Sequence, residues 1–186
     1  AGGNTATLTA DPTVVRRAER LVVPGVGNYG QAAKNLTASG LGDAIKEVAG
    51  SGRPVMGICL GMQLFFSASE EAPEAQGLGL LPGRVCRFRT ALPVPHVGWA
   101  GVELTPTGAE HPALAELFHG EMQFFYHVHS FHPADLPAQD ILATADYDGN
   151  FPTIVGQDNI LGAQFHPEKS QKAGIELRSR FSAWQP

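Results

Sequence analysis

The stretch Gly57-Ile58-Cys59-Leu60-Gly61 constrains the fold of this chain most, because it joins the apolar run Pro54 to Ile58 directly to helix-forming residues from Leu60 to Ser69. A short apolar run followed at once by helix formers predicts a buried strand feeding a helix, with Cys59 on the corner. Such a corner is a nucleophile elbow. Its backbone is strained and closely packed, so glycines two residues before and two after the corner fit where a Cβ would strike the neighbouring strand or helix. Cys59 would stand clear of the sheet at a helix N-terminus, where free N–H groups and the positive dipole end favour thiolate over thiol. A tight turn around a buried, inert cysteine explains the same five residues at least as well, since short glycine patterns recur by chance.

Around the elbow, strand and helix alternate. Thr5 to Ala10 reads as a strand with alternating β-branched residues, ending at Asp11-Pro12. Val14 to Glu19 predicts a short helix, and Leu21-Val22-Val23 a brief apolar strand of the kind buried in a parallel sheet. That strand runs into Pro24-Gly25-Val26-Gly27, a loop whose amides can turn toward a ligand as an oxyanion site requires; an ordinary glycine loop is the alternative. Leu36, Leu41, Ile45 and Val48 fall at helical spacing with a break at Ser39-Gly40, predicting two short packing helices. Past Pro73 the texture changes to a glycine-rich loop, Gly77 to Pro82, and then short β-like runs: Arg84 to Phe88, Val97 to Leu104, Gln123 to His129, Ile141 to Ala145 and Thr153 to Gly156. The last strand, Ile160 to Phe165, delivers His166-Pro167-Glu168, and Lys169 to Trp184 reads as a closing helix. This order predicts one α/β domain over residues 1–186. Its mostly parallel sheet would have flanking helices and additional antiparallel strands, with ligands at the carboxyl ends of the parallel strands.

Composition narrows the partners. A net charge of −5, with 13 basic against 18 acidic residues and no basic cluster, leaves no electrostatic footprint for nucleic acid or an anionic membrane. No apolar run approaches the ~18 residues of a membrane span. The two cysteines, Cys59 and Cys86, have no metal-type spacing, and the sequence shows no secretory leader, so a reducing cytoplasm fits best and neither metal nor cofactor is expected. Cys86 lies between Val85 and Arg87 in a β-like run and reads as a packing residue.

Chemistry comes from combining two strand ends. Cys59 and His166 both fall where open α/β sheets place their sites, and an imidazole with a carboxylate two residues on suits a base and its orienting group. Cysteine, histidine and carboxylate together make a triad for acyl transfer. Six other histidines compete for the base role, but only His166 is followed at once by a proline and a carboxylate.

Gly57-Ile58-Cys59-Leu60-Gly61-Met62-Gln63 and Phe165-His166-Pro167-Glu168 resemble the two signatures of class I glutamine amidotransferases. Pro24-Gly25-Val26-Gly27, the run Leu81 to Phe88, Pro95-His96-Val97-Gly98-Trp99 and Pro167-Glu168-Lys169-Ser170 are similar to the branch of that family that forms the glutaminase subunits of imidazole glycerol phosphate synthases, in histidine biosynthesis. The resemblance runs from about Thr5 to the C-terminus and implies a flavodoxin-like α/β fold. The family opens with a further strand and an Asp-Tyr-Gly-x-Gly-Asn stretch that this sequence lacks, so the resemblance implies a domain short of its first strand and helix.

The resemblance also implies roles. Cys59, His166 and Glu168 are the triad, and Cys59 attacks the side-chain carboxamide of L-glutamine. The backbone of Leu60 and of Val26 or Gly27 holds the oxyanion. Gln63, Glu71, Ser130 and Phe131 bind glutamine, the last two through their main chain. The products are glutamate and ammonia, by way of a γ-glutamyl thioester. The ammonia passes to a cyclase subunit with a (β/α)8 barrel, the other half of a heterodimer, which makes imidazole glycerol phosphate and the purine intermediate AICAR. Trp99, Tyr126 and Lys169 are candidate docking residues, because aromatic anchors and a charge suit an interface. Two other readings stay open on the sequence: a stand-alone cysteine hydrolase of γ-glutamyl substrates, and an inactive truncated docking module.

Overall fold

Strand β2 (Val55–Cys59) is buried at all five positions, as a continuous apolar run requires when a sheet is covered on both faces. In the computed structural model, which describes residues 5–186, it pairs in parallel with β1 (Leu21–Gly25) on one side and β9 (Ile160–Ala163) on the other. From β9 the seven-stranded sheet continues through β8 (Asn150–Gln157), β7 (Ile141–Asp146), β4 (His96–Leu104) and β5 (Gln123–His129), each antiparallel to its neighbour. The α/β class therefore stands, with antiparallel addition more extensive than the sequence suggests. A separate antiparallel pair joins β3 (Arg84–Arg87) to β6 (Phe131–Ala134). β6 carries no strand signal because Pro133 interrupts it, which a ribbon with two edges tolerates.

Side-chain alternation along the strands builds two cores. Met56 and Ile58 of β2 and Leu161 and Ala163 of β9 face a cluster completed by Phe125, Phe165, Leu177 and Phe181. Val55 and Ile160 face the opposite cluster, with Ile45, Val48, Phe65 and Phe66. The helices α2 (Tyr29–Ser39) and α3 (Leu41–Gly50) break at Gly40, whose φ of +71° ends one and starts the next. The closing helix α7 (Gln171–Ala183) buries Leu177 and Phe181 but leaves Ile175 exposed. Its C-terminal carbonyls, Phe181 O and Trp184 O, each accept from the Arg20 guanidinium at 2.7 Å.

Three elements differ from the sequence reading. Thr5 to Ala10 forms no strand and is mostly exposed, with Leu8 94% accessible. Alternating β-branched residues make a strand only where a neighbour takes their N–H and C=O groups, and no described strand pairs with this segment. The first helix, α1, runs Pro12–Arg16 rather than Val14 to Glu19, because Asp11 caps it through Thr13 N at 2.8 Å. The helix after the elbow, α4 (Leu60–Gln63), ends at Gln63 instead of Ser69. Its continuation fails because the loop behind it and α2 claim the carbonyls a longer helix would use: Leu64 O accepts from Leu78 N at 2.7 Å, Phe65 O from Leu80 N at 2.7 Å, and Phe66 O from the Tyr29 hydroxyl of α2 at 2.9 Å. Two short helices between β4 and β5, α5 (Pro106–Glu110) and α6 (Ala115–Phe118), are absent from the sequence reading altogether.

Candidate active site

The carboxyl ends of the three parallel strands converge on a pocket of about 420 Å3. β2 brings Cys59 to its wall and the start of α4 brings Leu60, the loop after β1 brings Val26 and Gly27, and the turn after β9 brings His166 and Lys169. Gln63 comes from α4, Glu71 from the loop behind it, Ser130 from the turn between β5 and β6, and Phe131 from the start of β6. Of the residues the sequence singles out, Glu168, Trp99 and Tyr126 stand outside the lining; the first touches His166 and the other two lie on the adjoining sheet surface.

Cys59 takes φ +52° and ψ −113°, a conformation that side chains rarely adopt and that the elbow imposes. The glycine spacing has the steric cause expected. A Cβ on Gly57 would lie 2.5 Å from Met62 Cα, and one on Gly61 would overlap the carbonyl of Val23. Gly27 sits at φ +106°, so the loop facing Cys59 also turns through a residue that needs no Cβ.

The imidazole of His166 is 2% exposed as a residue and is held from several sides. Nδ1 lies 2.6 Å from Glu168 Oε1. Because a carboxylate only accepts, Nδ1 carries the hydrogen and Nε2 is left as the basic nitrogen. The His166 N–H donates to Tyr126 O at 2.9 Å, while Ser170 Oγ donates to His166 O at 2.7 Å and accepts from Tyr126 N at 3.0 Å. His166 is thereby tied to β5.

The resting sulfur departs from expectation. Burial pushes the Cys59 thiol up to about 11, and the Glu168 carboxylate adds to the rise; the Leu60 N–H, the Lys169 ammonium and the Gln164 amide oppose it. Position at a helix N-terminus does not produce a standing thiolate here, because α4 has four residues and the sulfur is desolvated. No hydrogen bond joins Sγ to His166; its side-chain partner is Gln164 Nε2, at 3.8 Å.

Gln63 is 5% exposed, and its Nε2 donates both to Phe131 O and to Gln164 Oε1, each at 3.1 Å. Glu71 accepts from Asn28 Nδ2 at 3.1 Å and from Tyr29 N at 2.9 Å, so it also fastens the start of α2. Lys169 Nζ lies 5.6 Å from the centre of the Tyr126 ring, which meets Trp99 edge-on at 6.2 Å. The three docking candidates are thus contiguous, Lys169 lining the pocket and the two aromatic rings lying beyond it on the sheet surface.

The sequence reading misses Gln164, Ser170 and His129. Gln164 had a signal: it is the one polar residue in the apolar run from Ile160 to Phe165. His129 lines the pocket, directs Nδ1 to Phe131 O at 2.9 Å, and belongs to a buried group with His96, His127, Phe88 and Phe151. Burial lowers the basicity of these histidines, that of His129 well below its ordinary value and that of His127 to about 3. Among the described residues no group of three histidine, cysteine or acidic side chains is placed to hold a metal ion.

Comparison with known proteins agrees with this geometry. The family model described as "Glutamine amidotransferase class-I" matches residues 6–181. The imidazole glycerol phosphate synthase subunit HisH of Salinibacter ruber is 43% identical over 188 residues, covering 97% of this chain and 84% of its own. HisH of Symbiobacterium thermophilum is 42% identical over 175 residues, covering 94% and 80%. A crystal structure described as a glutamine amidotransferase superposes with a TM-score of 0.72 at 19% identity, over 96% of this chain and 87% of that one, a likeness of fold.

Proposed function

The chain belongs to the class I glutamine amidotransferase family, and we propose that within it the chain is the glutamine-hydrolysing subunit of an imidazole glycerol phosphate synthase, serving histidine biosynthesis. One observation carries the chemistry: Cys59 on its strained elbow and the His166–Glu168 pair line or support the same pocket.

Since burial keeps the thiol protonated at neutral pH, Cys59 gives its proton to His166 Nε2 as Sγ attacks the side-chain carbonyl carbon of L-glutamine. Glu168 holds Nδ1–H and stabilises the imidazolium that forms. Negative charge builds on the carbonyl oxygen, where the Leu60 N–H and an amide of the Val26–Gly27 loop receive it. Collapse of this intermediate breaks the C–N bond; His166 returns the proton to the departing nitrogen, leaving ammonia and a γ-glutamyl thioester on Cys59. Water, deprotonated by His166, then releases glutamate. Gln63, Glu71 and the main chain at Ser130 and Phe131 hold the amino-acid end of the substrate.

Ammonia released into neutral water becomes ammonium and stops being a nucleophile, so productive hydrolysis needs a partner that receives it under cover. The surface beside the pocket suits such a partner. Val97 opposes Val128 and Trp99 opposes Tyr126 across β4 and β5, and Val97, Trp99 and Phe124 are 56%, 47% and 57% exposed. We place the (β/α)8-barrel cyclase here, with Lys169 at the seam, and a reducing cytoplasm as the compartment that keeps Cys59 free. No helix among the described residues is long and apolar enough to cross a membrane.

The test is glutamate release measured for the chain alone and with a barrel cyclase subunit, glutamine and the phosphoribulosyl-formimino precursor. The expected result is strong stimulation by the cyclase and none in Cys59→Ala. Full turnover by the isolated chain would favour a free-standing γ-glutamyl hydrolase, and robust activity in Cys59→Ala would end the triad mechanism.

A further inference from the structure

We infer that the side-chain amide of Gln164 acts on the nucleophile itself, as the hydrogen-bond donor that orients the Cys59 sulfur and stabilises it once its proton leaves. The direction of the amide follows from its neighbours. Phe131 O is a main-chain carbonyl and can only accept, so Gln63 presents its NH2 to that oxygen. The same NH2 faces Gln164 at 3.1 Å, so Gln164 must offer Oε1 there. Gln164 Nε2 is then left for Sγ, 3.8 Å away. Turning either amide over would set two acceptors or two donors against each other in a site where Gln164 is 0% exposed.

The consequence is chemical as well as geometric. A donor aimed at sulfur gains strength when the thiol becomes a thiolate, because its acceptor then carries full charge. Burial opposes that ionisation, so a fixed donor at the sulfur offsets part of a cost that solvent does not relieve. The chain Phe131 O, Gln63, Gln164, Sγ also runs from the turn that lines the substrate end of the pocket to the reacting atom.

The meaning of this bond for turnover rests on the glutaminase reading; its effect on the sulfur does not. The experiment separates the two. In a Cys86→Ala background, where Cys59 is the remaining cysteine, Gln164→Met and Gln164→Leu are compared with the parent for iodoacetamide alkylation at about pH 8, with thermal melting as a check on folding. Two donor-less side chains of different shape are used so that a folding failure of one leaves the other to decide. The charged and titratable groups around the sulfur, His166, Glu168 and Lys169 from the turn after β9, Glu71 from the loop after α4 and His129 from β5, are unchanged throughout.

Loss of one hydrogen bond to a charged acceptor is expected to lower the thiolate fraction about tenfold. The more basic sulfur recovers part of that in intrinsic nucleophilicity, so alkylation slows by about three- to tenfold. With the cyclase present, kcat for glutamine hydrolysis falls about tenfold with KM nearly unchanged. Alkylation as fast as in the parent, or a loss confined to KM, overturns the inference. A parent protein that alkylates normally but never hydrolyses glutamine would overturn the function instead.

Discussion

Replacing Gly57 by alanine tests whether the elbow is built as described. The added Cβ would lie 2.5 Å from Met62 Cα and 2.7 Å from Met62 N, where real Cβ atoms keep at least 3.0 Å, so β2 and α4 must part by about 0.5 Å. The nearest obstacle is the Met62 backbone, with the Phe65 ring also at 2.7 Å, so no rotamer change alone relieves it. Overpacking of this kind costs about 2 kcal/mol, within its usual range of about 1–3 kcal/mol. For a chain of this size that lowers Tm by about 4–8 °C. Because Leu60 and Gln63 ride on the displaced helix, kcat should fall more steeply than stability, by about tenfold or more, as sub-ångström misplacement of reacting groups does. Gly50→Ala is the internal control: nothing lies within 4 Å of its Cβ, it ends α3 without a positive φ, and alanine there is expected to stabilise by about 0.5 kcal/mol. Calorimetry of both variants with glutaminase assays beside the cyclase gives the answer. A Gly57→Ala protein that melts with the parent and keeps full activity would refute the steric account of the elbow.

Three further outcomes are expected. His127 is held neutral, with its basicity pushed from 6.5 down to about 3, so the unfolded chain binds more protons between those values and stability falls as pH drops through that window. At about 1.4 kcal/mol per pH unit this amounts to about 2 kcal/mol between pH 6.5 and about pH 5, and His129 acts in the same direction. Urea unfolding at about pH 7 and pH 5 measures it; equal stabilities, or a His127→Gln protein with undiminished acid sensitivity, would contradict the assignment. Glu168→Gln removes the carboxylate that fixes the His166 tautomer and should lower kcat about 100-fold or more while Tm barely moves, since that side chain is 47% exposed; unchanged kcat would remove Glu168 from the mechanism. Trp99→Ala should weaken cyclase binding about 30-fold, the loss of about 2 kcal/mol typical of an aromatic anchor, without altering the melting of the isolated chain; titration calorimetry showing unchanged affinity would move the interface elsewhere.

The site was legible in the sequence wherever chemistry and backbone demand coincide. Gly57 and Gly61 are required by close approach, and His166-Pro167-Glu168 places base and carboxylate within one turn, so local pattern alone located both. β5 was legible over its whole length, Gln123–His129, but its buried face was not: His127 and His129 turn inward with Phe125, while Phe124 lies exposed on the opposite face. What stayed hidden depends on partners distant in sequence. The end of α4 is decided by Leu78 and Leu80 taking the Leu64 and Phe65 carbonyls just beyond it, and the failure of Thr5 to Ala10 as a strand by the lack of a described neighbour. The state of the Cys59 thiol reversed for the same reason. An elbow motif states where a sulfur sits along the chain, not how deeply the rest of the fold encloses it. Gln164 is visible only as a polar interruption, and its role emerges once Gln63 and Phe131 are seen beside it.

The attachment of His166 has one more consequence. Its N–H and C=O are fastened to β5, directly and through Ser170, while only its ring depends on Glu168. Position and protonation are therefore under separate control: an error in the carboxylate leaves a well-placed but wrongly poised base, and an error at Ser170 leaves a correctly poised base with one fastening fewer. Evolutionary or engineered change at Glu168 can alter which ring nitrogen carries the hydrogen without dislodging the imidazole.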